Sequence, residues 1–206
     1  MQNYCNKNGY RQKLVILRVL TKTMNTVKIK DEFPEGLVSI YPALFGDDRG
    51  FFLEAFNQKN YAAFIPDLTF VQDNLSQSKK GVIRGLHFQA PPFDQGKLVQ
   101  VITGSVLDVA VDIRKDSPSY GKHFKVILNS KDRNQLWIPP GFAHGFACLE
   151  DDTIFSYKCT NIYSKAHEGC ILWNDTDLNI DWEVQDPLVS DKDQEGCMFN
   201  DFQSPF

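Results

Sequence analysis

Four histidines, seven tyrosines and scattered lysines and carboxylates are the groups in this chain that could move protons. Two of the histidines keep unusual company. His87 sits in Arg84-Gly85-Leu86-His87-Phe88-Gln89, an apolar strand pattern with an arginine three residues before it. His144 lies in Pro139-Pro140-Gly141-Phe142-Ala143-His144-Gly145-Phe146, among glycines and aromatic rings. An imidazole has an ordinary pKa of about 6.5 and offers both acid and base forms near neutrality. A single histidine on a strand is more often a satisfied core or surface residue, but two in such settings point to general acid–base work. Metal binding reads poorly from spacing. The position two beyond His87 is Gln89, so no His-x-His pair exists, and a two-histidine site would need distant carboxylates. The five cysteines, Cys5, Cys148, Cys159, Cys170 and Cys197, form no Cys-x-x-Cys pair and read as free thiols.

Other chemistries are disfavoured by what is missing. Gly96-Lys97 could end a phosphate loop, but Pro91 stands where its first glycine belongs and Leu98 replaces the hydroxyl residue. Neither a Gly-x-Ser-x-Gly elbow nor a Gly-x-Gly-x-x-Gly turn occurs, which disfavours a serine hydrolase of that type and a bound nicotinamide. Twenty-two basic against 26 acidic residues give a net charge of −4, the wrong balance for a nucleic-acid binder. No apolar run approaches the roughly 20 residues of a membrane helix. Leu14 to Leu20 is interrupted by Arg18 and lacks a small-residue cleavage site, so a soluble, cytoplasmic protein is expected.

The elements that must position these groups are strands. The 206 residues suit one large domain or at most two small ones, and 13% aromatic content with 16 Phe favours sheets over a helical bundle. Short apolar runs punctuated by Gly, Pro, Asn and Asp predict strands at 51–54, 69–73, 82–88, 97–102 and 106–113. The series continues at 124–128, 135–138, 145–149 and 153–160. Thr103-Gly104-Ser105 reads as the tight turn of a hairpin, and Glu150-Asp151-Asp152 as a hairpin tip. Residues 58–65 have helical spacing and are stopped by Pro66. With no βαβ rhythm, the expected architecture is an all-β sandwich or barrel. In Val106 to Ile113, Asp108 and Asp112 share parity with Val106 and Ala110, while Leu107, Val109, Val111 and Ile113 take the other face. The mixed face fits either a polar pocket inside a barrel or solvent. Residues 1–24 read as a loosely ordered N-terminal extension, with Met24 a possible start, and residues 25–206 as a single domain.

Taken in order, the segments resemble the dTDP-4-dehydrorhamnose 3,5-epimerases. The matching stretches are Phe45 to Glu54, Phe70 to Asn74 with Ser76 and Ser78, Gly81 to Gln89, Gln95 to Val99, Asp108 to Arg114 and Gln135 to Phe146. Tyr157-Lys158, Leu172 to Asp175 and Ser190 to Asp193 complete the set, which spans about Val38 to Asp193. The resemblance implies a cupin-like jelly-roll barrel with short flanking helices, acting without a cofactor or metal on a dTDP-linked 4-keto-6-deoxy sugar in carbohydrate (O-antigen-type polysaccharide) biosynthesis. It makes His87 the catalytic base, held by Asp193. Tyr157 becomes the general acid and Lys97 the group near the ketone oxygen, with His144 a further active-site residue. Arg49, Glu54, Gln72, Asn74 and Arg84 fall at nucleotide and diphosphate contacts, and Tyr163 and Glu168 at further binding positions. The family forms dimers with exchanged strands, so Arg49 and Glu54 are candidates to come from a partner subunit.

These residue types suit that chemistry. C3 and C5 of the implied sugar both flank the C4 ketone, so removing either proton leaves an enolate. A base on one ring face, a cation at the oxygen and an acid on the other face are what inversion requires. Each residue also has a plainer reading. Asp193 could be a helix cap or surface carboxylate, Tyr157 core, Lys97 a solvated strand end, and Arg84 a buried partner of Asp108 or Asp112. The competing functions are a single-carbon epimerase, a metal-dependent cupin enzyme and a non-catalytic sugar-binding module.

Overall fold

The computed structural model describes residues 27–33, 36–65 and 68–206; the N-terminal extension lies outside the described residues, as does Pro66. Fourteen strands are present among the described residues. They are β1 (Val27–Glu32), β2 (Val38–Pro42), β3 (Leu44–Asp47), β4 (Gly50–Leu53), β5 (Gln72–Ser78), β6 (Val82–Gln89) and β7 (Lys97–Thr103). Then come β8 (Ser105–Asp112), β9 (His123–Asn129), β10 (Gln135–Ile138), β11 (Phe142–Cys148), β12 (Thr153–Cys159), β13 (Glu168–Cys170) and β14 (Leu188–Val189). Two four-residue helices, α1 (Gln58–Tyr61) and α2 (Asp191–Gln194), flank them.

The strands form two facing six- and five-membered paths. The first sheet runs β1-β2-β10-β7-β12-β5, and the second β13-β6-β11-β8-β9, with β14 added parallel to β6. A separate hairpin, β3-β4, pairs with neither. This is the all-β barrel that the strand pattern predicts, in the cupin-like jelly-roll form that the resemblance implies.

Alternation along each strand divides its side chains between two environments. Between the sheets, Val99, Val101 and Phe155 from the first meet Val106, Ala110, Phe142 and Phe146 from the second. The outer face of the second sheet, carrying Leu107, Val109, Val111 and Ile113, is covered by the C-terminal segment through Ile171, Leu178 and Trp182. The outer face of the first sheet is covered around α1, where Tyr61, Ile65 and Leu68 pack on Ile40, Leu98 and Trp137. The mixed face of β8 therefore points inward. All eight β8 residues are buried, Asp108 and Asp112 included.

Four expectations need correcting. Thr103-Gly104-Ser105 does not close a hairpin, because β7 pairs with β10 and β12 whereas β8 pairs with β11 and β9. Gly104, at φ +82°, turns the chain from one sheet into the other beside Thr153. The same holds for residues 150–152, which link β11 to β12 across sheets. Two adjacent alternating runs can each bury a face without pairing, and here each finds its partners elsewhere. The strand expected at 69–73 instead begins at Gln72, because Phe70 packs edge-on against Phe56 and near Trp137. The helix expected over 58–65 spans only 58–61. It is capped by Asn57, whose side chain accepts from the Lys59 and Asn60 amides.

Candidate active site

The second sheet places the two histidines side by side. His144 on β11 stands directly opposite His87 on β6. The ladder then slips by one residue before Phe146 meets Arg84. The slip rests on a backbone contact that only glycine permits: a Cβ on Gly85 would lie 2.5 Å from the Gly145 Cα and 2.8 Å from the His144 carbonyl oxygen. Gly85 also has φ +126°. Both imidazoles consequently face the space between the sheets.

Each histidine is held by a carboxylate. His87 Nε2 lies 2.5 Å from Asp193 Oδ1, and Asp193 is 3% exposed, so it is neither a surface carboxylate nor a mere cap. It is aimed by α2, where the Ser190 hydroxyl accepts from the Asp193 amide at 3.2 Å. Burial alone would raise the Asp193 pKa, but the hydrogen bond and charge of His87, with Ser190 and the Gly85 amide, hold it below the ordinary carboxylate value. His144 Nε2 lies 2.9 and 3.1 Å from the oxygens of fully buried Asp108. Burial pushes the His144 pKa down despite that partner. Spacing did not single out Asp108 as this partner; the signal available was its parity with Ala110, which pairs with His144.

The first sheet supplies the opposite wall. Tyr157 on β12 and Lys97 on β7 both point inward, two residues along from Phe155 and Val99 of the interior cluster. Burial raises the Tyr157 phenol and lowers the Lys97 ammonium, the latter opposed by Cys159, Asp108 and Glu168. His87, Lys97 and Tyr157 are shared by two adjoining cavities, of about 280 and 350 Å³. The first is also lined by Arg84, His144 and Asp193. The second adds Gln72, Asn74, Tyr163 and Glu168. Arg84 is paired with neither Asp108 nor Asp112. Its Nε donates to Ser78 Oγ at 3.2 Å, while Asp112 binds Arg114.

A polar chain lines the second cavity. The Gln72 amide donates to Asn74 Oδ1 at 3.1 Å, and the Tyr163 amide donates to Gln72 Oε1 at 2.7 Å. The Tyr163 hydroxyl donates to Glu168 Oε2 at 2.9 Å, and Lys192 Nζ lies 2.6 Å from Glu168 Oε1. Lys192 hydrogen-bonds there and reaches the first cavity, a position the sequence reading passed over. Ser76 also lines that cavity, and its buried hydroxyl has no partner among the described residues.

Arg49 and Glu54 stand apart. Arg49, in the β3-β4 turn, pairs with Asp47 and is 90% exposed at its side chain. Glu54 accepts from Asn57 Nδ2 at 3.0 Å and Asn60 Nδ2 at 2.7 Å. Neither lines the cavities in its own chain. Cys170, on β13 directly opposite His87, does lie close by. His87, Cys170 and Asp193 each offer one donor atom, all within 4.8 Å of one another. Its thiol is pushed up to about 12 by burial and by Asp193. Cys148, Cys159, Cys170 and Cys197 are all free thiols. No helix is long and apolar enough to cross a membrane among the described residues.

A double-sheet barrel that sets a carboxylate-held imidazole against a phenol and an ammonium across one cavity is built to move protons. The profile of the dTDP-4-dehydrorhamnose 3,5-epimerases matches residues 33–201. The dTDP-4-dehydrorhamnose 3,5-epimerase of Shigella flexneri is 54% identical over 174 residues, covering 84% of this chain and 96% of the relative. That of Salmonella typhimurium is 51% identical over 169 residues, 81% and 92% of the two chains. The crystal structure of the Legionella pneumophila dTDP-6-deoxy-D-glucose-3,5-epimerase, in complex with dTDP-4-keto-L-rhamnose, superposes with TM-score 0.83 at 44% identity. It covers 86% of this chain and 95% of that one. The chain belongs to the dTDP-4-dehydrorhamnose 3,5-epimerase family. It is an isomerase of nucleotide sugars.

Proposed function

We propose that the protein inverts C3 and C5 of dTDP-4-dehydro-6-deoxy-D-glucose, giving dTDP-4-dehydro-L-rhamnose, with His87 as base and Tyr157 as acid. The observation that carries this reading is the arrangement of His87 on one sheet and Tyr157 with Lys97 on the other, lining the same cavity. Nδ1, the His87 nitrogen not bonded to Asp193, takes the proton from the carbon beside the ketone, and the C–H pair moves into the C=C–O⁻ of an enolate. Asp193 stabilises the imidazolium as it forms and fixes the ring. The Lys97 ammonium faces the oxygen where negative charge grows. Tyr157 then delivers its hydroxyl proton to the same carbon from the opposite face, and both groups exchange protons with solvent before the second carbon reacts. His144, fixed by Asp108, lines the sugar end of the cavity. Arg84, Gln72, Asn74, Tyr163 and Glu168 offer donors and acceptors for the diphosphate and nucleoside, forked arginine donors being well matched to phosphate.

Two copies make the site complete on this reading. Arg49 and Glu54 would reach the nucleotide from the partner of a homodimer, brought there by the β3-β4 hairpin. Exposed Leu44, Phe45, Phe51 and Phe52 on that hairpin, at 52–68% accessibility, support its being covered by a second copy. The lack of a long apolar helix among the described residues is compatible with a cytoplasmic enzyme.

The test is turnover of the 4-keto sugar in heavy water with His87→Ala and Tyr157→Phe. The wild type is expected to place deuterium at both C3 and C5. Each variant should lose at least a hundredfold in kcat, within the 10²–10⁴ range typical of general acid–base groups. Deuterium at one carbon alone would make the protein a single-carbon epimerase. Full turnover in both variants would remove the assigned roles.

A further inference from the structure

Cys170 is a chemically active side chain beside the proposed base that the epimerisation does not use. It stands opposite His87 across the β13-β6 ladder, so both side chains project from the same face of the sheet. Asp193 closes the group from α2. Nitrogen, sulfur and carboxylate oxygen lie within 4.8 Å of one another. Ligands around a tetrahedral zinc, with bonds of about 2.0–2.3 Å, are separated by roughly 3.3–3.8 Å. The three donors would close by about 1 Å to reach that spacing. The set contains one imidazole, one thiol and one carboxylate, the mixture that suits zinc and not magnesium. Thiolate and carboxylate together balance a divalent charge. His87 and Asp193 line the first cavity, from which a cation would reach the group.

We propose that His87, Cys170 and Asp193 form a binding site for a thiophilic divalent cation such as Zn²⁺, whose occupation silences the enzyme. On binding, the Cys170 S–H proton is released to solvent as the Sγ–metal bond forms, and the His87 proton held towards Asp193 moves from Nε2 to Nδ1 as Nε2 takes the cation. Nδ1, which would take the substrate proton, then carries a hydrogen of its own. Metal binding follows from the three donors alone, whereas the inhibition rests on His87 being the base. The effect is opposite in sign to that of a catalytic metal: chelation raises turnover.

The experiment titrates Zn²⁺ into the full-length protein against a chromogenic chelator and measures turnover at each occupancy. One high-affinity Zn²⁺ per chain is expected, with turnover falling in proportion and returning on addition of EDTA. Cys170→Ser and Cys170→Ala, each confirmed folded by its thermal midpoint, should bind at least tenfold more weakly and resist inhibition relative to their own metal-free rates. Cys197→Ser should behave as wild type, and Mg²⁺ should have no effect. Equal Zn²⁺ affinity in the wild type and both Cys170 variants, or equal response to Mg²⁺, would overturn the site. Binding through Cys170 with turnover intact would overturn the silencing. Inactivity of the metal-free wild type would count against the epimerase reading instead, because the chelator competition needs no substrate.

Discussion

Lys97 and Tyr157 are displaced in opposite directions by one cause. Burial penalises the charged form of each, drawing the ammonium down from 10.5 and pushing the phenol up from 10.0. Tyr157, the proposed acid, thus holds its proton more tightly, and Lys97 less tightly, than either would in water. The alkaline limb of kcat should belong to Lys97, begin below pH 10.5, and move upward in Lys97→Arg, whose guanidinium stays charged. A pH–rate profile of the two proteins checks this. An alkaline limb unmoved by the arginine would assign it to Tyr157. At the acid end, Asp193 is held low by its partners, so the carboxylate that fixes His87 stays charged below the ordinary carboxylate value.

The strands set how accurately these groups meet, and the tightest constraint is the crossing of β6 and β11. A Cβ on Gly145 would lie 2.7 Å from the Arg84 carbonyl oxygen and 3.1 Å from the Trp182 ring. Gly145→Ala must therefore spread the ladder beside His87, costing about 1–3 kcal/mol of stability by overpacking and lowering kcat more than it raises KM. Denaturant unfolding and steady-state kinetics together measure both effects. At the far end of β8, Asp112 anchors the loop before β9. Burial would raise its pKa, but Arg114, Ser117, Ser119 and the Arg114 amide bring it down from 3.8 to about 2. A depressed native pKa contributes stability that is complete above pH 4 and is lost as pH falls through about 2. The size is about 2 kcal/mol for a shift of this order. Asp112→Asn should lower the midpoint at pH 7 and flatten the acid dependence between pH 4 and 2. An acid dependence in the variant parallel to wild type would place that stability elsewhere. Periodicity made β8, β9, β10 and β12 legible, because alternation reports which residues turn inward. It did not report pairing: the runs joined at Gly104 lie in different sheets. His87, Tyr157 and Lys97 stand on strands whose inward parity could be read. Asp193 was legible only through the resemblance to a family, since a four-residue helix in a polar tail has no periodicity. Lys192 and Cys170 were passed over for a related reason: each lies on an element, α2 or the three-residue β13, too short to show a period.

At the scale of the whole molecule, one chain contains the proton-transfer groups but leaves part of the expected nucleotide site unfilled. Arg49 is 90% exposed at its side chain and, among the described residues, is bound to Asp47, two residues away. An exposed pair of this kind contributes little to stability, so Arg49 is free to exchange Asp47 for a diphosphate. The hairpin that carries it pairs with neither large sheet and presents apolar rings outward. A symmetric dimer would bury those rings and place each Arg49 at the other copy's cavity. This arrangement can be tested by mixing two inactive proteins. Arg49→Ala keeps His87 and lacks the arginine, whereas His87→Ala has the reverse defect. If Arg49 serves its partner, random pairing of equal amounts makes half the dimers mixed. Each mixed dimer holds one site with both groups intact, so about a quarter of wild-type activity should return. If Arg49 serves its own chain, every site in every dimer lacks one group and nothing returns. Co-expression of differently tagged variants, purification of the mixed species and measurement of kcat per site separate the two outcomes.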